Sequence, residues 1–351
     1  RNGLEIQWVR SHGVRNRHFY FERQVGAAVA DYEPRLILWF GPPQIFGRTI
    51  PGNPALKHTP LVIFMGQNRR MQAFDWREPD LSLFNRGKAL AYQLIRGPLI
   101  ARACAVAHLV VTNTQETPDI VRRYIAQKNR AEFDTKVFPC PLGYDPAAFG
   151  FDAQRRVAVR EALGHGPQDV VALLTSRFAR EKHATIQLVF DGLMQALKTH
   201  PAMKALIVGL GDDEMSVHIR EVCTSPQWES RIHLEPFSDR TRLSELMHAS
   251  DMALFARPSI SCQESLGTGA FGIFSDDGSM DWLLESDEDG CLFRTGDSAS
   301  LAATLLDVVG RELDTPNREA VRANRAARAV RLDYDHLIDR TLKKLSDVLG
   351  A

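Results

Sequence analysis

Short apolar runs alternate with stretches of helical spacing along most of this chain, and that alternation leaves few folds open. A run of about four to eight apolar and β-branched residues suits a strand buried on both faces. An amphipathic stretch between two such runs suits a covering helix. In the second half the strands are expected at VVALLTS (170–176), KALIVGLG (204–211), RIHLEPF (231–237), DMALFA (251–256) and AFGIFS (270–275). Helices are expected between them at 184–200, from beyond Gly211 to about Cys223, at 240–250 and through ESLGTG (264–269). The first half keeps the same rhythm. LEIQWV (4–9), RLILWF (35–40), PLVIFMG (60–66) and HLVVTNT (108–114) read as strands, and 21–32, 86–107 and 117–127 as helices. Gly97-Pro98 is expected to break or kink the long helix. Thr117 is expected to cap the next helix, with Pro118 in its first turn. Strands and helices in strict alternation make an α/β fold of parallel sheets covered on both faces.

A length of 351 residues suits two domains. The Pro-rich KVFPCPLGYDPAAF (136–149) reads as an extended linker between them. The expected division is 1–145, 146–330, and a C-terminal helix within 331–351 that packs back on the first domain. Residues 316–345 look helical and basic. The first domain opens without a strand, glycine-rich loop and helix in the usual order, and is expected to lack that unit. Residues 1–145 hold 20 Lys and Arg against 12 Asp and Glu, a net charge of +8, which the remainder balances with −8. A basic first half suits an anionic partner. Arg86, Lys88, Arg96 and Arg102 sit among apolar residues of the helix at 86–107, which could rest on anionic lipid or pack on its own sheet. The five cysteines form no CxxC pair and read as reduced thiols, the usage of a cytoplasmic protein. No apolar run of about 18 residues is present to span a bilayer, and RNGLEIQWVRSHG lacks the apolar core of a signal peptide.

Three segments carry the candidate chemistry. In TSRFAREKH (175–183), Arg177 and Lys182 flank a turn between a strand end and a helix start, a place suited to a diphosphate. Arg180 and Glu181 are expected to face solvent. In IVGLGDDE (207–214), Gly209 and Gly211 would let a ligand approach the backbone, or would simply make a tight turn. In FARPSISCQESLG (255–267), Pro258 suits the first turn of a helix and Ser259 or Ser261 its cap. The first amides of that helix, around Ser259, Ile260 and Ser261, would point at a phosphate. Glu264 could accept both ribose hydroxyls. DEDG (287–290) reads as a solvated turn rather than a metal site.

The order of these segments resembles that of the group 1 glycosyltransferases of the GT-B fold. PLGYDPAAF resembles their Pro-Asn-Gly-Val-Asp linker and SRFAREKH their Gly-Arg-Leu…Glu-Lys-Gly. ALIVGLGDDE resembles their Val-Gly-x-Gly, and QESLGTGAFGIFS their Glu-Ala-Met-Ala-x-Gly-x-Pro-Val. The likeness runs over about residues 136–310. It implies two Rossmann-like domains with parallel sheets facing a cleft. It also implies a retaining transfer from a UDP- or GDP-sugar to a glycan or lipid-linked acceptor, without a metal and without nucleic acid as a partner. Arg177 and Lys182 would bind the donor diphosphate, Glu264 the ribose, and Phe237 with Gly209–Gly211 would lie near the base.

The chain departs from that pattern in places. Eight positions before Glu264, where the family often has a second glutamate, stands Ala256; Ser259 and Ser261 are the nearest polar residues. The strand PLVIFMG leads into Gln67 and Asn68 where a histidine often touches the sugar, and either could replace its hydrogen bond. The missing glutamate also fits a protein of the same fold that binds nucleotide without transferring sugar. A nicotinamide-dependent oxidoreductase would need three spaced glycines opening the first domain, and none are there.

Overall fold

The computed structural model describes residues 12–13, 20–21, 25–41, 48–66 and 83–350. The expected strand at 4–9 and the sugar-contacting candidates Gln67 and Asn68 lie outside them. The chain divides into two compact units. One holds the residues up to Pro141 together with Arg340–Ala351, the other Leu142–Asp339.

In the first unit β1 (His12–Gly13) and β2 (Tyr20–Phe21) form a small antiparallel pair. The main sheet is parallel, in the order β3 (Ile37–Phe40), β4 (Leu61–Met65), β5 (Leu109–Thr112), β6 (Val137–Pro139). Its helices are α1 (Val25–Asp31), α2 (Leu83–Val106), α3 (Glu116–Arg122) and α4 (Arg130–Lys136). Ile63, Leu109 and Val110 are fully buried, as residues of inner parallel strands must be. The end of the chain also belongs here: Arg340 lies over the Phe138 ring at 5.5 Å, and Cys140 Sγ is 3.6 Å from Thr341 Oγ1.

Several local expectations need correction in this unit. Helix α2 runs unbroken through Gly97-Pro98. Proline removes the hydrogen bond to the Leu94 carbonyl, but Leu94 and Pro98 are exposed, so water can satisfy that oxygen. Thr117 does not cap α3. Its own amide donates to Thr114 Oγ1 at 3.3 Å, so Thr114, just before the helix, accepts the orphan amide. The segment 136–149 is not simply an extended linker, because it begins as the edge strand β6 and ends as a helical turn.

That turn, α5 (Pro146–Phe149), opens the second unit. It is capped by Asp145, whose carboxylate accepts the Ala147 amide at 2.9 Å. The sheet that follows is parallel throughout, in the order β12 (Gly290–Phe293), β11 (Phe271–Ser275), β10 (Met252–Phe255), β7 (Val170–Thr175), β8 (Met203–Leu210), β9 (Ile232–Pro236). Around it stand α6 (Ala153–Ala162), α7 (His183–Thr199), α8 (Glu214–Cys223), α9 (Arg240–Ala249), α10 (Ile260–Gly267), α11 (Ser298–Asp314), α12 (Arg318–Ala329) and α13 (Tyr334–Leu349), the last of which continues into the first unit. The apolar residues of the sheet feed two cores, one on each face. Val170, Ala172 and Leu174 pack with α7 and α11, while Val171 and Leu173 pack with α9 and α10. That alternation is the period of a strand buried on both sides.

Asp289 corrects the expectation of a solvated turn at 287–290. It is buried, accepts from Arg328 Nε at 2.7 Å and takes the Glu285 amide at 3.2 Å. Asp287 and Glu288 are exposed.

Candidate functional site

The strand order of the second unit creates the kind of crevice at which open parallel sheets bind ligands. The first strand of the second unit, β7, lies in the middle of the sheet, between β8, the next in sequence, and β10. The connection after β7 goes to one side and the connection after β10 to the other. At such a switch the loops leave adjacent strand ends in opposite directions and open a crevice beyond their carboxyl ends. Leu174 pairs with Leu254, so Ser176 and Ala256 step off neighbouring strands at the same edge. The first loop carries Arg177 and Lys182, and the second leads into α10.

Arg177 is exposed, and the buried Phe178 anchors the loop behind it. The backbone then closes tightly: the Ala179 amide donates to the Arg177 carbonyl and the Lys182 amide to the Ala179 carbonyl, each at 2.8 Å. Arg180–Lys182 form a single 3-10 turn, and Lys182 is the residue on which α7 begins. Arg180 is exposed, as expected. The cations therefore stand beside the positive end of a helix, where an anion is favoured.

On the neighbouring loop, Ser259 is in extended conformation (φ −149°, ψ 164°) and is the N-cap of α10 by backbone, but its hydroxyl makes no capping hydrogen bond. Pro258 precedes the cap instead of occupying the first turn. The first-turn amides of a helix have no carbonyl partner within it, and here the cap hydroxyl does not substitute. One turn on, Glu264 is 8% exposed. Burial pushes its carboxyl above the ordinary range, against a hydrogen bond from Ser261 and the charge of Arg240, which both act to lower it.

Arg240 had no signal in the sequence. It begins α9, pairs with Asp145 Oδ2 at 2.8 Å and lies over the Phe149 ring at 5.5 Å. The α5 turn that it clamps packs directly on α10. A Cβ on Gly267 would come within 2.5 Å of the Tyr144 ring and 2.8 Å of the Phe149 carbonyl. Only a glycine lets the helix carrying Glu264 approach the turn so closely.

The glycines at the end of β8 serve the protein's own backbone. Gly209 has φ +106°, and a Cβ there would lie 1.9 Å from the Ser176 carbonyl oxygen. This residue lets the β8 loop press against the loop bearing Arg177. The Gly211 amide donates to Ser216 Oγ at 2.9 Å, and its carbonyl accepts from Arg220 at 2.7 Å. Asp213 caps α8 through the Met215 and Ser216 amides and stands 3.1 Å from His183 Nε2 in the first turn of α7. Its carboxyl is held low by hydrogen bonds from Ser216 and by His183, which outweigh its partial burial. The two loops are thus tied at both ends. Phe237, just past β9, is 73% exposed and stands at the same edge one strand further out, its amide bonded to the Leu210 carbonyl.

The opposite edge of the sheet is built differently. Asp251, before β10, is 2% exposed and meets Arg156, Arg160 and Arg322. Arg156 also donates to the His248, Ala249 and Ser250 carbonyls, and Arg322 to those of Met247, His248 and Ser250. The guanidiniums share one carboxylate and the negative end of α9. The arginines hold the Asp251 carboxyl far below the usual range in spite of its burial. Among the described residues no group of three or more His, Cys, Asp or Glu is placed to hold a metal.

No protein-family model matches the chain, and no curated protein matches it in sequence. Solved structures match it in fold. The Anabaena protein Alr3699/HepE, solved in complex with UDP, is 19% identical, with a TM-score of 0.64 over 92% of this chain and 82% of that one. Sucrose-phosphate synthase from Thermosynechococcus elongatus is 16% identical, with a TM-score of 0.62 over 92% and 76%. The trehalose 6-phosphate synthase of Burkholderia multivorans is 16% identical, with a TM-score of 0.64 over 93% and 74%. The chain has the α/β, two-Rossmann GT-B fold of these proteins.

Proposed function

We propose that the protein is a retaining glycosyltransferase that moves a sugar from a nucleoside-diphosphate sugar, with uridine as the nucleoside, to a hydroxyl of a glycan or lipid-linked acceptor. The observation that carries this reading is the pairing of Arg177 and Lys182 with the start of α10 on two loops that leave adjacent strands at the switch point of the sheet. Two cations and a set of first-turn amides at one crevice suit a diphosphate. The choice of uridine follows HepE, whose structures hold UDP or UDP-glucose.

In this reading Arg177, Lys182 and the amides of Ser259, Ile260 and Ser261 stabilise the charge that develops on the departing diphosphate. The bond from the anomeric carbon to the phosphate oxygen breaks, and the acceptor oxygen bonds that carbon on the same face. The acceptor's proton leaves with the diphosphate. Glu264 accepts from the ribose hydroxyls, Phe237 lies beside the base, and Gln67 or Asn68 hydrogen-bonds the sugar. No metal is required, because the cations already neutralise the phosphates. The positive charge of the first half suits contact with the inner face of an anionic membrane.

Calorimetric titration with UDP, GDP and ADP and their sugars tests the site, with UDP expected to bind tightest. Arg177→Ala together with Lys182→Ala is expected to weaken that binding by about 100-fold or more, the scale of two charge-assisted hydrogen bonds. Unchanged affinity would remove the diphosphate assignment. The anomeric configuration of the product, read by NMR, tests retention.

A further inference from the structure

Three residues of α9, spaced about one turn apart on one face, hold successive points of the α5 turn. Arg240 pairs with Asp145 Oδ2 at 2.8 Å. Ser244 donates its hydroxyl proton to the Ala148 carbonyl, which also accepts from Arg155 at 3.1 Å. His248 Nε2 stands 2.9 Å from the Gly150 carbonyl oxygen. The turn held in this way is the one that packs on α10. Phe149, between Ala148 and Gly150, presents its carbonyl to Gly267. Gly267 shares a helix face with Glu264, three residues before it. The depth at which Glu264 is seated therefore depends on how firmly α5 is held.

His248 is the member of this ladder with a hydrogen-bonding conflict. Its ring is fully buried. Nδ1 stands 2.8 Å from the Ser244 carbonyl, so both ring nitrogens face carbonyl oxygens, which only accept. Ser244 Oγ lies 3.5 Å from Nδ1, but its one proton is committed to Ala148. A neutral imidazole donates from one nitrogen and leaves a lone pair against the other carbonyl, whereas the imidazolium donates to both. Burial holds the ring below its ordinary value of 6.5, against the two carbonyls, which raise it; Arg322 on α12 and Arg155 on α6 add to the lowering. Asp152, the cap of α6, is an acid within reach of its charge. Arg156 and Arg322 donate to its main-chain carbonyl. The joint thus has two states, with one donated bond near neutral pH and two once the ring is protonated.

We propose that His248 is a positioning residue of the donor site, which couples the seating of Glu264, and with it the affinity for nucleotide, to a proton on its own ring through the α5 turn. This deepens the donor-site reading and rests on it. A nucleotide whose ribose hydroxyls engage Glu264 favours the firmer joint, and so favours the imidazolium. By linkage, a proton on His248 favours the nucleotide by the same factor.

The test uses the full chain and UDP. The His248 ring, assigned by its loss in His248→Gln, is titrated by nitrogen-15 NMR with and without UDP. UDP is expected to raise the pH at which it titrates by about half a unit, the equivalent of a threefold coupling. In Glu264→Gln that shift is expected to disappear; a shift that persists there is the through-space effect of the diphosphate charge and overturns the coupling. In calorimetry, the affinity of the parent relative to His248→Gln is expected to rise by the same factor as pH falls from the ordinary histidine range through the folded value, a ratio that cancels the titrations of Glu264 and UDP. His248→Ala is expected to weaken UDP binding by about 3- to 10-fold, the scale of one net hydrogen bond. His248→Gln, whose amide reaches the Gly150 carbonyl, is expected to restore the affinity and to abolish its dependence on this proton. The ring titration is read on the parent and stands even where His248→Ala fails to fold. A ring that titrates at the same pH with and without UDP overturns the proposal, and so does a folded His248→Ala that binds UDP as tightly as the parent. Either result leaves the donor site standing. A parent that binds no nucleotide fails at the donor site itself, and the coupling falls with it.

Discussion

Glu264→Gln separates a functional role for the buried carboxylate from a structural one, because the two predict opposite signs. Burial raises the carboxyl in the folded protein above its ordinary value of 4.5. Its ionised form is therefore less favoured in the folded state than in the unfolded chain. As pH rises out of the carboxylate range and through the raised value, the folded protein loses stability relative to the unfolded chain, and the full penalty is present at neutral pH. Glutamine keeps the shape and the hydrogen bond with Ser261 while removing the charge. The free variant is thus expected to unfold at an equal or higher temperature than the parent at neutral pH, with the difference closing in acid. Nucleotide binding is expected to move the other way. A charged hydrogen bond lost at a site only 8% exposed costs about 1–3 kcal/mol, or about 5- to 150-fold in the affinity for UDP. Lowering the pH should reproduce part of that loss in the parent, as Glu264 takes up its proton, and the parent-minus-variant difference cancels the titration of UDP itself. Calorimetry with UDP across the acid range, paired with thermal unfolding of the free proteins, reads both signs. A variant that unfolds earlier and binds UDP as well as the parent would refute the ribose role and make Glu264 a structural carboxylate.

Other perturbations test the scaffold beneath the site. Gly209→Ala is expected to destabilise the second unit by about 1–3 kcal/mol or more, since φ +106° disfavours any side chain and the new Cβ would press on the Ser176 carbonyl. It should weaken nucleotide binding as well, because the loop it displaces leads to Arg177; urea unfolding and UDP titration read the two effects. Asp251→Asn is expected to cost about 3–5 kcal/mol in urea unfolding by leaving Arg156, Arg160 and Arg322 without their carboxylate. In the parent, that carboxyl is depressed in the folded state. Its contribution is present above the ordinary carboxylate range and fades as pH falls toward the folded value, and the variant should lack this acid-dependent loss. Arg240→Gln, which releases both Asp145 and the charge near Glu264, is expected to lower the affinity for UDP most at acid pH, where Glu264 is easiest to protonate.

How legible these features were in the sequence follows from the range of the forces behind them. Most strands of both sheets were legible because each is a short apolar run, a property of the run itself; β6, three residues within a Pro-rich stretch, and β12, four residues opening on a glycine, were not. VVALLTS, KALIVGLG and DMALFA gave β7, β8 and β10 within a residue or so. The loops carrying Arg177, Lys182 and Glu264 were legible for the same reason, since a loop is found by finding the strand that ends before it. What was not legible was set either by where a helix starts within a turn or by partners far along the chain. Thr114 rather than Thr117 receives the orphan amide of α3 because the helix starts earlier than Pro118 suggests. Asp289 looked like one acid among several until Arg328, on α12, was seen to hold it. Arg240 reads as one more surface charge until α5 brings Asp145 to it.

The same distinction separates the two edges of the second sheet and explains why only one of them is proposed as the site. At the amino edge, every charge of the Asp251 cluster is answered by an opposite charge or by a carbonyl at the end of α9, so that edge has nothing left to offer a ligand. At the carboxyl edge the fold leaves demands open. The hydroxyl of Ser259 does not cap its helix, and Glu264 is held away from water with its ionised form disfavoured. A buried carboxylate and an uncapped helix start both lower a protein's stability when it stands alone. In the proposed reading one ligand would relieve both, because a nucleoside diphosphate carries hydroxyls for the carboxylate and an anion for the amides together.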